Sequence, residues 1–283
     1  MATKDYAAIA KRTITSPSAG DRMPRILVYA RNKKGKTRFC TSAPDVLMLD
    51  PEDGTREEQK ADPDTWPVST WEDVHDAAGF LKSRHNKSPR TGRPYQWCAW
   101  DGVTRIYDVA MKFIRNRERE RDLGSRTADG DKTQRDYGKA NDLLKDALHQ
   151  FHAIRTMGMI FTAQERMIEI SSMEDLGDDE DATPAAYMYV PDLPKGARGP
   201  FNQVVDVIGR LYVVRGEGLT VPRRYRKKGT NEVIIKQVPS TTQRRLWIAP
   251  HEMYDTGYRS DHELPDFIKN PTVETVTRAI RNG

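Results

Sequence analysis

Cysteine is nearly absent from this chain. Cys40 and Cys98 are the only two in 283 residues, too few for a disulfide framework or a structural zinc site, and they point to a reducing, cytoplasmic setting. No apolar run approaches the roughly 20 residues that span a bilayer, so no membrane partner is expected. The opening stretch, MATKDYAAIAKRT, lacks an apolar secretory segment. The six histidines, His75, His85, His149, His152, His251 and His262, fall at no metal-ligand spacing. Hydrophobic residues are also scarce, at 37% against about 45–50% in an average globular chain. Five Trp, eleven Tyr and seven Phe nevertheless suffice for a core. This length suggests one large domain or one domain with appendages. The formal net charge is only +5, which permits a polyanionic partner without demanding one, so the distribution of charge carries the argument.

Residues 1–22 read as an appendage, with Tyr6 to Ala10 as a short helix that would dock on a neighbouring subunit. Residues 23–283 read as one domain. From Arg25 onward, short apolar runs alternate with amphipathic stretches. Strands are expected at Ile26 to Tyr29, Val46 to Leu49, Gln96 to Trp100 and Met157 to Thr162, and helices at Lys36 to Thr41, Trp71 to Ser83 and Tyr137 to Thr156. Val204 to Leu211 reads as a helix running into a strand at Leu211 to Val214. This alternation implies an α/β fold with a mostly parallel central sheet flanked by helices. A β-hairpin extension is expected at about 219–249, turning at Lys227-Lys228-Gly229-Thr230-Asn231, and a closing helix at Pro271 to Ile280.

The most specific motif is Ala30-Arg31-Asn32-Lys33-Lys34-Gly35-Lys36-Thr37, followed by Arg38. It follows an expected strand and opens an expected helix, the context of a phosphate-binding loop. Backbone amides would cradle phosphate oxygens, Lys36 would reach the terminal phosphates, and the Thr37 hydroxyl would ligate Mg²⁺. Ala30 stands where such loops begin with glycine, so a positive φ at that position would be strained. Three further strand ends carry polar residues: Asp50-Pro51-Glu52-Asp53, then Asp101-Gly102, then Thr162-Ala163-Gln164. Strand ends of an open α/β sheet face the ligand crevice.

The ordered set ILVYARNKKGKT, LMLDPEDGT, WCAWDGVT, MIFTAQER and LPKGARGPFNQVVDVIGRLYVV, over roughly residues 22–215, resembles the RecA-like P-loop ATPases. It is most similar to the phage ATPases of this type linked to single-strand annealing and recombination. The resemblance implies ATP and Mg²⁺ as ligands, with Lys36 on the phosphates, Thr37 and Asp101 on the metal, Glu52 as the catalytic carboxylate and Gln164 as a sensor of the terminal phosphate. It also implies a homo-oligomer, ring or filament, in which a cation from one subunit completes its neighbour's site. Arg244, Arg245 and Arg259 are the candidates by position.

For nucleic acid, the resemblance points to loops at about 115–136 and 167–199. The first contains Arg115, Arg117 and Arg119, although their alternation with glutamates also suits a solvated helix. The second holds six acids between 174 and 181 before Lys195 and Arg198. The densest basic cluster comes later. Residues 222–245 contain eight cations and one acid, a net of seven positive charges. Arg223, Arg224, Arg226, Lys227 and Lys228 surround Tyr225, the mixture of cations and aromatic that single-stranded DNA binding requires. The leading expectation is a Mg²⁺-dependent ATPase binding single-stranded DNA in phage recombination, annealing or replication. The alternatives are a nucleotide-binding protein with little hydrolysis that anneals DNA or recruits a single-strand-binding protein, and a small-molecule P-loop kinase.

Overall fold

The computed structural model describes residues 23–58, 60–121, 134–170, 186–226 and 233–282. Strand β1 (Arg25–Ala30) is buried at every position and leads through a five-residue turn into the short helix α1 (Lys36–Cys40). There follow β2 (Val46–Asp50), β3 (Asp64–Pro67), α2 (Trp71–Lys82), β4 (Trp97–Trp100), α3 (Val103–Arg121), α4 (Gln134–His152) and β5 (Gly158–Ile170). The chain ends with β6 (Ala186–Pro191), α5 (Lys195–Val204), β7 (Val207–Arg226), β8 (Val233–Trp247), β9 (Gly257–Tyr258), β10 (Phe267–Lys269) and α6 (Val273–Asn282). The expected appendage at 1–22 lies outside the described residues.

One ten-stranded sheet runs in the order β10-β8-β7-β1-β5-β4-β2-β3, with β6 paired to β5 and β9 to β7. The six strands from β7 to β3 are mutually parallel. Parallel strands need crossovers, and the crossover helices bury both sheet faces. Alternation along β1 shows this directly. Leu27 and Tyr29 enter the larger core, under α2 to α5, while Ile26, Val28 and Ala30 enter a second core with Phe39, Leu246, Val273 and Val276. Helix α2 starts at a capping box, in which the Thr70 hydroxyl accepts from the Asp73 amide while the Asp73 carboxylate accepts from the Thr70 amide.

Three sequence expectations change. Residues 207–211 are strand, because β7 pairs in parallel with β1 from Val207 to Arg210. The stretch 186–199, expected within a long loop, holds β6 and the start of α5, which forms despite Gly196, Gly199 and Pro200 because Ala197, Phe201 and Val204 bury at helical spacing. The expected loop at 115–136 is helix α3 to Arg121 and helix α4 from Gln134.

The sheet's topology positions the site. Because β1, β2, β4 and β5 are parallel, the loops after them leave from one edge. At β4 and β5 that edge is clamped by an aromatic cluster: Trp100 meets Phe151 at 5.0 Å and Phe161 at 5.4 Å, edge-on, and Phe161 meets Phe201 at 5.1 Å. Asp101 and Thr162 each follow one of these rings directly in the chain.

Candidate active site

The turn after β1 takes its shape from two left-handed residues, Lys33 at φ 60° and Gly35 at φ 100°. Ala30 is not among the residues of positive φ; it closes β1, fully buried and opposite Gln164. The strain expected from an alanine there therefore does not arise. Gly35 is the position that requires glycine: an added Cβ would lie 2.7 Å from Arg244 Nε.

Lys36 folds back into the turn. Its Nζ donates to the carbonyls of Ala30 at 3.2 Å and Arg31 at 3.4 Å, and to Gln164 Oε1 at 3.2 Å. Burial holds this ammonium below the usual lysine range, against the pull of Asp101 and Glu52. Thr37 Oγ1 donates to Asp101 Oδ2 at 2.6 Å. The other carboxylate oxygen accepts from Thr162 Oγ1 at 2.8 Å, and Thr162 in turn accepts from the Gly102 amide at 2.8 Å. Strand β5 lies between β1 and β4, so the buried Thr162 at its end holds the acid from one side while Thr37 holds it from the turn. Burial raises the Asp101 pKa, while the two hydroxyl bonds oppose the rise.

Asp50, buried at the end of β2, shapes the loop carrying Glu52. Its carboxylate accepts from the amides of Glu52, Gly54 and Thr55 and from the Thr55 hydroxyl, at 2.7–3.1 Å. Glu52 itself is ion-paired to Arg105 Nε, and Arg105 Nη1 also reaches Asp108 at 3.3 Å. Lys36, Thr37, Asp50, Glu52, Asp101, Arg105 and Thr162 line a cavity of about 670 Å³ together with Asn32, Lys33, Arg38, Gln164 and Arg244. A second cavity of about 630 Å³ adjoins it, sharing Lys33, Gly35, Arg38 and Arg244. Lys34, Arg215 and Arg223 add cations to its wall, Phe39, Leu211, Val213, Val221 and Pro222 give it an apolar part, and no acid is among its described lining residues.

The remaining sequence candidates scatter. Arg31 turns outward to Glu165 at 2.9 Å, and Glu165 also binds Arg210 at 2.7 Å. Arg244 Nε donates to Lys34 O at 3.2 Å, against this chain's own phosphate turn, a position in cis. Arg245 lies over the Phe267 ring at 4.6 Å, and Arg259 donates to the carbonyls of Asn202 and Gln203. Arg115 and Arg117 ride on α3, Lys195 and Arg198 on α5, and Arg223 and Tyr225 on the exposed ribbon of β7 and β8. Lys227 and Lys228, and the side chains of Arg119, Arg224 and Arg226, lie outside the described part.

The sequence expectations place Asp50 and Thr162 at strand ends without giving either a role, and they do not include Arg105. A lone hydroxyl in the apolar run Met159-Ile160-Phe161-Thr162, and a cation in the first turn of a helix that holds no acid there, were the available signals. The hard oxygen pair Thr37 and Asp101 fits Mg²⁺, which takes few protein ligands and keeps water and phosphate oxygens for the rest. Among the described residues no group of three or more His, Cys, Asp or Glu side chains offers an alternative metal site, and no helix is long and apolar enough to cross a membrane.

A phosphate turn, a threonine-linked acid two strands away and polar strand ends on one edge of a parallel sheet define a P-loop nucleotide-binding fold. The family model of the AAA domain matches residues 22–260, and the chain belongs to that family of nucleotide-binding ATPases. No curated protein matches it.

Proposed function

We propose that the protein is a Mg²⁺-dependent ATPase that binds single-stranded DNA as an oligomer, in phage recombination, annealing or replication. The observation carrying the ATPase reading is the linked set Lys36, Thr37, Asp101, Thr162 and Gln164 around one cavity. The triphosphate would lie in the first cavity, with the catalytic acids at its terminal end. The nucleoside would extend across Gly35 into the second, between Arg38 and the apolar wall of β7. Mg²⁺, held by Thr37 and Asp101, would neutralise charge on the β- and γ-phosphate oxygens. Lys36 would leave the turn carbonyls for those phosphates. Glu52 would orient water and accept its proton as the water oxygen bonds to the γ-phosphorus and the bond to the β-phosphate oxygen breaks.

The DNA reading rests on the ribbon. Residues 219–226 and 233–240 pair with each other and are mostly exposed. Tyr225 is 41% exposed among cations and Ile235 63%, a surface that suits bases and phosphates together. Charge reversal at Arg223, Arg224 and Lys227 should weaken binding of a single-stranded oligonucleotide and flatten its salt dependence; unchanged binding would move the DNA site elsewhere. Electron microscopy with ATP and single-stranded DNA tests the assembly, and a particle that stays monomeric under both would end the oligomer reading.

The pairing of Glu52 with Arg105 favours a second reading, in which nucleotide is bound but turned over slowly and the work is annealing or recruitment of a single-strand-binding protein. Hydrolysis measured with and without single-stranded DNA separates the two. Turnover that depends on a metabolite acceptor would instead indicate a kinase.

A further inference from the structure

Arg105 stands in the first turn of α3. Unpaired backbone amides make that end of a 19-residue helix positive, so a cation is disfavoured there. Its position is nevertheless tightly fixed. The Arg105 amide donates to Gly102 O at 3.0 Å, the Gly102 amide donates to Thr162, and Thr162 donates to Asp101. Gly102 sits at φ 104°, a value that favours glycine, so the helix leaves β4 at a set angle. The guanidinium is thereby held over the first cavity. It faces Glu52 from the β2 loop and Asp108 from its own helix.

The other cations lining this cavity are Lys33, Lys36 and Arg38, from the phosphate turn and α1, and Arg244, which bonds to that turn. Arg105 is the lining cation that comes from neither the turn nor a contact to it: it stands at the start of α3 and pairs with Glu52 of the β2 loop. A triphosphate seated on the turn would therefore present its terminal phosphate to Arg105.

We propose that Arg105 is a γ-phosphate ligand supplied in cis, which exchanges partners with nucleotide state. Without a terminal phosphate it pairs with Glu52 and keeps that carboxylate from activating water. With the phosphate bound, the guanidinium moves from Glu52 to the phosphate oxygens, which match its planar donors. Glu52 is then free to hold water. One motion thus restrains hydrolysis in the empty site and stabilises charge in the loaded one. The proposal rests on the reading that the first cavity takes the phosphates.

The test compares binding of β,γ-imido ATP with binding of ADP, both with Mg²⁺, by titration calorimetry on the full chain. Wild type should prefer the triphosphate. Arg105→Ala should lose at least tenfold in triphosphate affinity with ADP affinity unchanged, Arg105→Lys should recover part of the loss, and Glu52→Gln should raise triphosphate affinity by removing the competing partner. Because Arg105 is largely exposed, thermal melting of the variants should match wild type. An unchanged ratio of the two affinities in Arg105→Ala, or equal loss of both nucleotides, would overturn the proposal. If wild type bound neither nucleotide, the phosphate-site reading itself would fail and this inference with it. Binding by wild type that Lys36→Ala abolishes keeps that reading intact whatever Arg105 does.

Discussion

The Thr37 hydroxyl donates to Asp101 Oδ2 across 2.6 Å, although the two residues are 64 positions apart and the strands that lead to them, β1 and β4, are not neighbours in the sheet. With Thr162 on the other oxygen, Asp101 is buried and satisfied before any metal arrives. Such a site costs stability for the sake of function.

Asp101→Asn should separate these two effects. The folded-state pKa of Asp101 is raised, so the native protein binds more protons than the unfolded chain between the ordinary aspartate value and the raised one. Stability from this group is present at low pH and lost as pH rises through that window. Metal-free Asp101→Asn should therefore melt at or above the wild-type temperature at neutral pH, with the gain vanishing in acid. Stabilisation by Mg²⁺ and ATP should disappear in the variant. A large loss of stability in the metal-free protein would contradict this account.

Lys36→Ala should abolish ATP hydrolysis, since among the described residues no other side chain bonds both the turn carbonyls and Gln164. Lys36→Arg offers a pH signature. Burial lowers the Lys36 pKa, so wild-type nucleotide affinity should fall at a pH below the ordinary lysine value of about 10.4. Arginine stays protonated there, so affinity of the variant, whatever its absolute level, should stay flat over the same range.

Gly35→Ala should damage both fold and site. A non-glycine residue at φ 100° costs about 1–3 kcal/mol, and its Cβ would meet Arg244 Nε at 2.7 Å. Combining it with Arg244→Ala should relieve the collision and leave the backbone strain. Chemical denaturation of the single and double variants would then show partial recovery, and full recovery would place the whole cost in the side-chain contact.

Trp100→Ala should be among the most destabilising changes, by about 3–5 kcal/mol, because the ring packs edge-on against Phe151, Phe161 and Phe201. Denaturant unfolding measures the loss. Nucleotide affinity at a temperature where the variant remains folded should also fall, since Asp101 and Thr162 extend directly from this cluster.

Much of this was legible in the chain. The apolar runs at 26–29, 46–49 and 97–100 are buried parallel strands, and GKT after the first marked the phosphate turn, because buried strands must be continuously apolar and the turn needs glycine, lysine and a hydroxyl in fixed order. Other parts were not legible. Val207 to Leu211 fits either period, and pairing with β1 decided for strand. Glycines and Pro200 hid α5, which exists through the burial of Phe201. Arg244 read as a cation for a neighbouring subunit, and its register opposite Val213 turns it onto this chain's own phosphate turn.

The sequence by itself determined the buried strands at 26–29, 46–49 and 97–100, the phosphate turn and the clustering of positive charge near residues 222–245, because each depends on residues close together in the chain. The tertiary structure alone decided that Thr37 and Thr162 share the two carboxylate oxygens of Asp101 and that Arg105 pairs with Glu52. Those contacts join residues dozens of positions apart. The order of strands, with β5 inserted between β1 and β4, is set by packing over the whole sheet and leaves no mark in local sequence.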